Sequence, residues 1–119
     1  MVEKNKYQPA LPFDMAQFRR ITGGKGTFQD ELLEIFFYNI EECIVVMRND
    51  CVSNLCEKWY DATEELKNIC DNIGALELAK ICAVAHRASN QNVDQKQQII
   101  KNIEEHTKKL KVFLRNTRY

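Results

Sequence analysis

Apolar residues recur at spacings of three and four along most of the chain, and no segment alternates apolar and polar residues with period two. That spacing is typical of amphipathic helices and argues against half-buried strands. It predicts one short helix and four long ones, at about 14–21, 28–49, 52–72, 75–88 and 94–116. Long helices with short connections pack in antiparallel order. We therefore expect an all-α fold, an antiparallel up-down four-helix bundle with the short first helix across one end.

Local signals mark where these helices begin and end. Three predicted starts carry a capping residue followed three positions later by an acid or amide: Asp14 with Gln17, Thr27 with Asp30, and Asp94 with Gln97. Gly74 suits the end of the third predicted helix, at about 52–72, because a left-handed residue is most easily accommodated by glycine. The Gly-Gly-Lys-Gly run at 23–26 lacks the ending of a phosphate-binding loop and is predicted to be a linker.

Composition narrows the class of protein. The chain has 119 residues, which fits a single domain over 1–119, with 17 Lys and Arg against 17 Asp and Glu. A net charge of zero offers no general field for nucleic acid or an anionic membrane, and no run of 18 apolar residues could span a bilayer. Residues 1–12 are polar and lack a secretory core, so we expect a flexible N-terminus and a cytoplasmic protein.

The five cysteines favour buried reduced thiols over disulfides or a metal site. Cys43, Cys51, Cys56, Cys70 and Cys82 are odd in number and form no Cys-x-x-Cys pair. A reduced cysteine inside an apolar helical stripe acts as a small hydrophobic residue. With only two histidines in the chain, no zinc-ligand spacing is present, so neither a metal nor a cofactor is expected.

Catalytic motifs are not found either. The chain contains no nucleophile elbow, no zinc-protease motif, no calcium loop and no nucleotide-binding loop. A di-iron bundle needs Glu-x-x-His, but neither His86 nor His106 has a glutamate three residues before it. His106 falls within the apolar period of the last helix and is predicted to be a satisfied core or boundary residue. The sequence thus predicts a protein that is not an enzyme.

Residues 62–78 are more informative. Leu66, Lys67 and Gly74 stand in the spacing of a His-x-Leu-Lys-Gly motif with a second glycine, and "NIGALELAKIC" continues it. The segments "LPFDMAQFRRITGG" and "FQDELLEIFFYNIEE" match in the same order. Over some 100 residues the chain resembles the histidine-containing phosphotransfer (HPt) domain of two-component phosphorelays. That resemblance also implies a four-helix bundle.

Two positions depart from the family pattern. Glu64 occupies the place of the phosphoacceptor histidine, and Asn68 occupies the place of the adjacent glycine. A neutral imidazole nitrogen can attack an aspartyl phosphate, whereas a carboxylate is a poorer nucleophile and gives a labile acyl phosphate. The asparagine side chain fills space that a partner's active site would enter. We therefore expect a bundle that has lost the relay chemistry and has no catalytic residue.

The resemblance also implies a docking face, because family members bind a receiver domain through the opening helix and the surface around the histidine. The partner-binding positions expected here are Met15, Phe18, Tyr60, Asp61, Glu64, Lys67, Asn68 and His86. Trp59, in the core period, is expected to pack inside. The expected partner is a receiver domain or a histidine kinase, bound by a monomer.

His86 keeps a second function open. Residues equally far from a turn at Ala75 face each other in a helical hairpin, which puts Glu64 and His86 at the same level. The histidine could be a hydrogen-bonded groove residue, the partner of Glu64 in an ion pair, or a relocated phosphoacceptor. The functional alternatives are accordingly an active phosphocarrier using His86 and a structural bundle with no signalling role.

Overall fold

The computed structural model describes residues 12–51 and 56–117, and all regular structure in these ranges is helical. The five helices are α1 (Met15–Thr22), α2 (Gly26–Asp50), α3 (Glu57–Ile73), α4 (Leu76–Arg87) and α5 (Val93–Thr117). The all-α class expected from the sequence is confirmed. The predicted flexible segment 1–12 falls, except for Pro12, outside the described residues, as do residues 52–55 of the predicted third helix.

Three of the helix starts differ from prediction, and α3 begins at Glu57, after Cys56, rather than at about residue 52. Helix α2 begins at Gly26, after Lys25, which makes no side-chain capping bond, so the predicted Thr27 cap is wrong. Helix α5 begins one residue before Asp94. Its cap is a reciprocal pair, in which Gln95 N donates to Asn92 Oδ1 (2.9 Å) and Asn92 N donates to Gln95 Oε1 (3.3 Å). Asparagine is as good a cap as aspartate, and α5 is capped by the first of the two, Asn92, rather than by Asp94.

The predicted start of α1 is confirmed. Asp14 Oδ1 accepts a hydrogen bond from Gln17 N at 3.1 Å, and α1 ends at Gly23, which has a left-handed φ of 66°. The Gln17 amide donates to the carbonyls of Asp71 (3.0 Å) and Asn72 (2.8 Å) at the end of α3. The short helix is thereby tied to α3, because these are carbonyls that the last turn of a helix leaves unsatisfied.

Gly74 fixes the same junction from the other side. It ends α3 with φ 96°, and its carbonyl accepts a hydrogen bond from Asp14 N at 2.7 Å. A Cβ at this position would lie 3.1 Å from the Asp14 carbonyl oxygen and 3.2 Å from the Asp14 Cβ. Glycine is therefore required here both for its backbone conformation and for the close approach of α1.

The helices enclose one apolar core around Trp59, which is fully buried as expected. Helix α3 packs against α2 and α4, helix α5 packs against α4 and less extensively against α2, and α1 contacts α2 and α3. Asp50, at the end of α2, accepts a hydrogen bond from Trp59 N (2.8 Å). It thus caps the first turn of α3 through the fold.

Four of the five cysteines are buried and all five are free thiols, so the expectation of reduced cysteines holds in this structure. Burial, with a smaller contribution from Glu65, raises the pKa of the Cys43 thiol to about 12. A hydrogen bond with the Cys82 thiol, together with burial, raises the pKa of Cys70. Such neutral buried thiols are poor nucleophiles and serve as packing.

Candidate functional site

The hairpin of α3 and α4 positions the residues singled out by the sequence. Trp59 Nε1 donates to the Ala85 carbonyl at 2.9 Å, and Thr63 Oγ1 lies 3.1 Å from His86 Nδ1. Further along α3, Cys70 is hydrogen-bonded to Cys82, so residue numbers rise from 59 to 70 along α3 as they fall from 85 to 82 along α4, and the two helices are antiparallel. The predicted level of His86 is correct, but the side chain that meets it is Thr63, next to Glu64.

The hydrogen bonds of Thr63 indicate which nitrogen of the His86 ring carries the proton. The Thr63 side chain is fully buried, and its hydroxyl donates to the Trp59 carbonyl (2.8 Å), with the Tyr60 carbonyl at 3.1 Å. A hydroxyl has one proton, so Thr63 Oγ1 can only accept from His86. We infer that Nδ1 carries the imidazole proton, which leaves the lone pair of the neutral ring on Nε2.

Tyr60 completes the surroundings of the histidine. Its ring centroid lies 4.1 Å from that of His86, with the planes tilted by 42°, and the Tyr60 side chain is 47% exposed. His86 is half-buried beneath it. In the described part of the chain, His86 Nε2 has no hydrogen-bond partner, and no ion pair joins His86 to Glu64. The predicted Glu64–His86 ion pair is therefore not formed. His86 is instead the hydrogen-bonded groove residue, which was another of the predicted alternatives.

Glu64 points to solvent from the outer surface of α3. Together with Asp61, Glu65 and Asn68 it borders a shallow depression of about 330 Å³. Three carboxylates within two turns of one helix give this surface a negative potential, which opposes the approach of another anion and favours a cation. The structure thus brings together the predicted residues Asp61, Glu64 and Asn68.

Lys67 is engaged with its own helix. Its Nζ lies 3.0 Å from Asp71 Oδ2, one turn along α3, and both side chains are largely solvated. Exposed pairs of this kind contribute about 0.3–0.5 kcal/mol to stability, so the contact can be exchanged for a partner at little cost.

Phe18 does not lie on the predicted face. It is 0% exposed and packs edge-on against Phe13, with ring centroids 5.2 Å apart. The expectation that it is accessible to a partner is wrong, because α1 turns this side chain towards the core. Met15 is half-buried and packs against the same cluster. The exposed apolar side chain of α1 is instead Ile21, which is 45% exposed.

An apolar pocket that the sequence did not predict adjoins the acidic depression. About 190 Å³ in volume, it is lined by side chains that include Ile21 of α1, Leu32 and Ile35 of α2, and Ile69 of α3. Ile69 and Asn72 border both hollows, so the pocket and the depression form one continuous surface. The only signal in the sequence was that Ile35 is apolar yet stands outside the core stripe of α2.

His106 lies apart from this surface, on α5. Its Nδ1 is 2.9 Å from the Asn102 carbonyl, and its Nε2 is 4.0 Å from a Glu77 carboxylate oxygen. The ring is half-buried, with a hydrogen bond at Nδ1 and a carboxylate near Nε2. It is the satisfied boundary histidine that the sequence predicted.

Among residues 12–51 and 56–117, no group of histidine, cysteine and acidic side chains has the arrangement of a metal site. None of the helices described is both long enough and apolar enough to cross a membrane. Comparison of the chain with family models, with curated proteins and with solved structures gave no match.

Proposed function

We propose that this protein is a pseudo-phosphotransfer module, an HPt-like antiparallel four-helix bundle that binds a signalling partner without carrying phosphate. In this proposal α2 to α5 form the bundle and α1 covers the end at which α3 turns into α4. The partner is a response-regulator receiver domain or a histidine kinase in the cytoplasm. Binding modulates a phosphorelay by occupying the surface that an active phosphotransfer domain would use.

One observation carries the proposal: Glu64, which by the resemblance stands in the place of the acceptor histidine, is exposed on α3 beside an apolar pocket. Glu64 supplies a fixed negative charge but no imidazole, and exposed apolar surface rimmed by charge is typical of protein docking sites. The motif around Leu66, Lys67 and Gly74, and the order of the helices, support the same assignment.

The docking surface that we propose has two parts. The apolar pocket would receive a large apolar side chain of the partner, while Asp61, Glu64 and Glu65 face its flanking cations. Lys67 can leave Asp71 to pair with an acidic group of the partner. Tyr60, exposed over His86, adds apolar area at the other end of α3.

Binding to isolated receiver domains and kinase dimerisation regions, measured by isothermal titration calorimetry, tests the proposal. We expect at least one to bind, with the dissociation constant raised tenfold or more by Glu64→Lys and by Ile35→Asp. Glu105→Lys makes the same charge change at an exposed position of α5 and should leave binding unchanged. If no such domain binds, or if Glu64→Lys and Glu105→Lys act alike, the proposal is wrong.

A second function is favoured by the environment of His86. Because Thr63 holds the proton on Nδ1, the Nε2 lone pair is available to attack the phosphorus of an aspartyl phosphate. The N–P bond would form as the bond from phosphorus to the carboxylate oxygen breaks, and the carboxylate would leave with the electron pair. In this alternative the protein is an active phosphocarrier.

Incubation with a radiolabelled phosphorylated receiver domain separates the two functions. The pseudo-phosphotransfer proposal expects no acid-labile label on the protein. Label that is lost in His86→Ala and retained in His106→Ala would establish the phosphocarrier instead. If no partner binds and no label is transferred, the remaining alternative is a structural bundle with no signalling role.

A further inference from the structure

A long groove lies between α2 and α5, and it is lined by other residues than the Glu64 surface. Arg48 of α2 forms an ion pair with Glu104 of α5, and Lys111 Nζ lies 5.1 Å from the centroid of the Phe37 ring. Residue numbers therefore fall along α5 as they rise along α2, and the helices are antiparallel. Two hollows of about 570 and 470 Å³, both bordered by Lys111, occupy the space between them.

The walls of the groove carry opposite charges at each level. The α2 wall bears Asp30, Glu34 and Glu41, and the facing α5 wall bears Arg115, Lys111 and Lys108. At the far end the signs are exchanged, with Arg48 on α2 and Glu104 on α5.

Apolar side chains line the groove between these charges. Phe37, which is half-buried, borders the first hollow, while the buried side chains of Leu33, Leu114, Ile40 and Ile44 form the floor of the groove. Val45 borders the second hollow and is 53% exposed, and Val112, which follows Lys111 on α5 but borders neither hollow, is 51% exposed. Apolar area flanked by ordered charge is what a stable protein interface covers.

We propose that a second copy of this chain occupies the groove, related to the first by a two-fold axis along the groove. Such an axis lays α2 of one copy against α5 of the other. Residues at the same height along the groove then face each other across the two copies. Glu34 and Glu41 then face Lys111 and Lys108 of the partner, and Arg48 faces Glu104 of the partner. Every level is complementary in the resulting four-helix contact.

The charge pattern selects this orientation. A two-fold axis across the helices would lay α2 on α2 and α5 on α5, so that Glu34 and Glu41 would no longer face Lys111 and Lys108 of the partner. Symmetric contacts of this kind are the commonest way for soluble chains to associate. The zero net charge adds no long-range repulsion. The proposed dimer differs from the monomer expected from the sequence.

The dimer is independent of the proposed function. No residue bordering the groove also borders the apolar pocket or the acidic depression, so both Glu64 surfaces of the dimer remain accessible.

Sedimentation equilibrium of the full chain and of two charge reversals tests this proposal. Wild type is expected to be a dimer, and Glu34→Lys and Lys111→Glu should each weaken dimerisation at least tenfold. An equimolar mixture of the two variants should recover a heterodimer, because the introduced lysine of one copy faces the introduced glutamate of the other. An intrachain contact cannot be restored by mixing.

Glu31→Lys and Lys109→Glu are the matched controls, since they make the same changes on α2 and α5 at positions that do not border the groove. If a groove variant fails to fold by circular dichroism, Glu41→Lys and Lys108→Glu replace the pair. A monomeric wild type overturns the proposal and leaves the groove to another occupant. A dimer that the reversals do not weaken, or that mixing does not restore, also overturns it.

Discussion

The imidazole of His86 is anchored to the hydroxyl of Thr63, with 3.1 Å between Nδ1 and Oγ1, across the hairpin that carries the candidate site. The neighbouring residue, Glu64, is rotated by about 100° around α3 and points to solvent. One helical step therefore separates a buried hydrogen bond from an exposed carboxylate. The site presents its negative charge outward and keeps its imidazole beneath Tyr60.

Replacing Thr63 with valine should destabilise the protein and release the His86 ring. We expect the free energy of unfolding in urea to fall by about 1 kcal/mol more than in Thr107→Val, because a hydrogen bond contributes about that amount. Thr107 is the matched control: its hydroxyl also donates to a carbonyl one turn back, that of Ile103, at 2.7 Å, and neither histidine ring is hydrogen-bonded to it. Equal losses would show that the Thr63–His86 bond does not contribute.

The tautomer of His86 gives a second measurement on the same bond. Nitrogen chemical shifts of the neutral ring should show the proton on Nδ1 in wild type and a mixture of tautomers in Thr63→Val. A wild-type ring protonated on Nε2 would contradict the inferred direction of the hydrogen bond.

Gly74→Ala should be more destabilising than Gly24→Ala. Both glycines have positive φ, 96° and 74°, which costs an alanine roughly 1–2 kcal/mol. Only at Gly74 would the added Cβ meet the backbone of Asp14, and crowding of this kind costs a further ~1–3 kcal/mol. Thermal unfolding measures both, and a loss in Gly24→Ala as large as that in Gly74→Ala would exclude the close approach of α1 as the cause.

Lys96→Met should leave the protein as stable as wild type or stabilise it. Lys96 is 4% exposed, its Nζ lies 5.0 Å from the Trp59 ring centroid, and it has no acidic partner in the described part of the chain. Burying an ammonium group is costly, and the contact with the ring offsets this by ~0.5–2 kcal/mol. Methionine fills the same space without a charge. Lys101→Met, on the exposed surface, is the control, and a loss above about 1 kcal/mol confined to Lys96→Met would show that the ring contact dominates.

Stability should fall in alkali through Cys43. In the unfolded chain this thiol ionises near its ordinary pKa of 9.0, whereas in the fold its pKa is about 12. Between these values the unfolded form loses a proton that the folded form keeps, so the free energy of unfolding decreases as pH rises, by up to about 1.4 kcal/mol per unit. Urea unfolding at about pH 8 and about pH 10 should show a smaller decrease in Cys43→Ala.

Ile44→Val is the control for that measurement, because it also removes core volume from α2 but no ionisable group. If Cys43→Ala and Ile44→Val lose equal stability between the two pH values, the alkaline loss comes from other groups.

The sequence determined the features that depend on contacts within a turn or two of one helix. Helical periodicity, the Asp14 cap and the end of α3 at Gly74 were predictable because spacing and backbone conformation are local properties. The starts of α2 and α5 were not, since Lys25, Thr27, Asn92 and Asp94 compete as boundaries and the differences between them are small.

Only the tertiary structure decided which side chains share a surface. Packing of α1 turned Phe18 inward and left Ile21 to border a pocket with Ile35 and Ile69, residues from three helices. It also placed Thr63, rather than Glu64, within hydrogen-bond distance of His86. The hydrophobic period specifies which side of a helix is buried, but not the rotation and spacing of its neighbours, and those set every contact between helices.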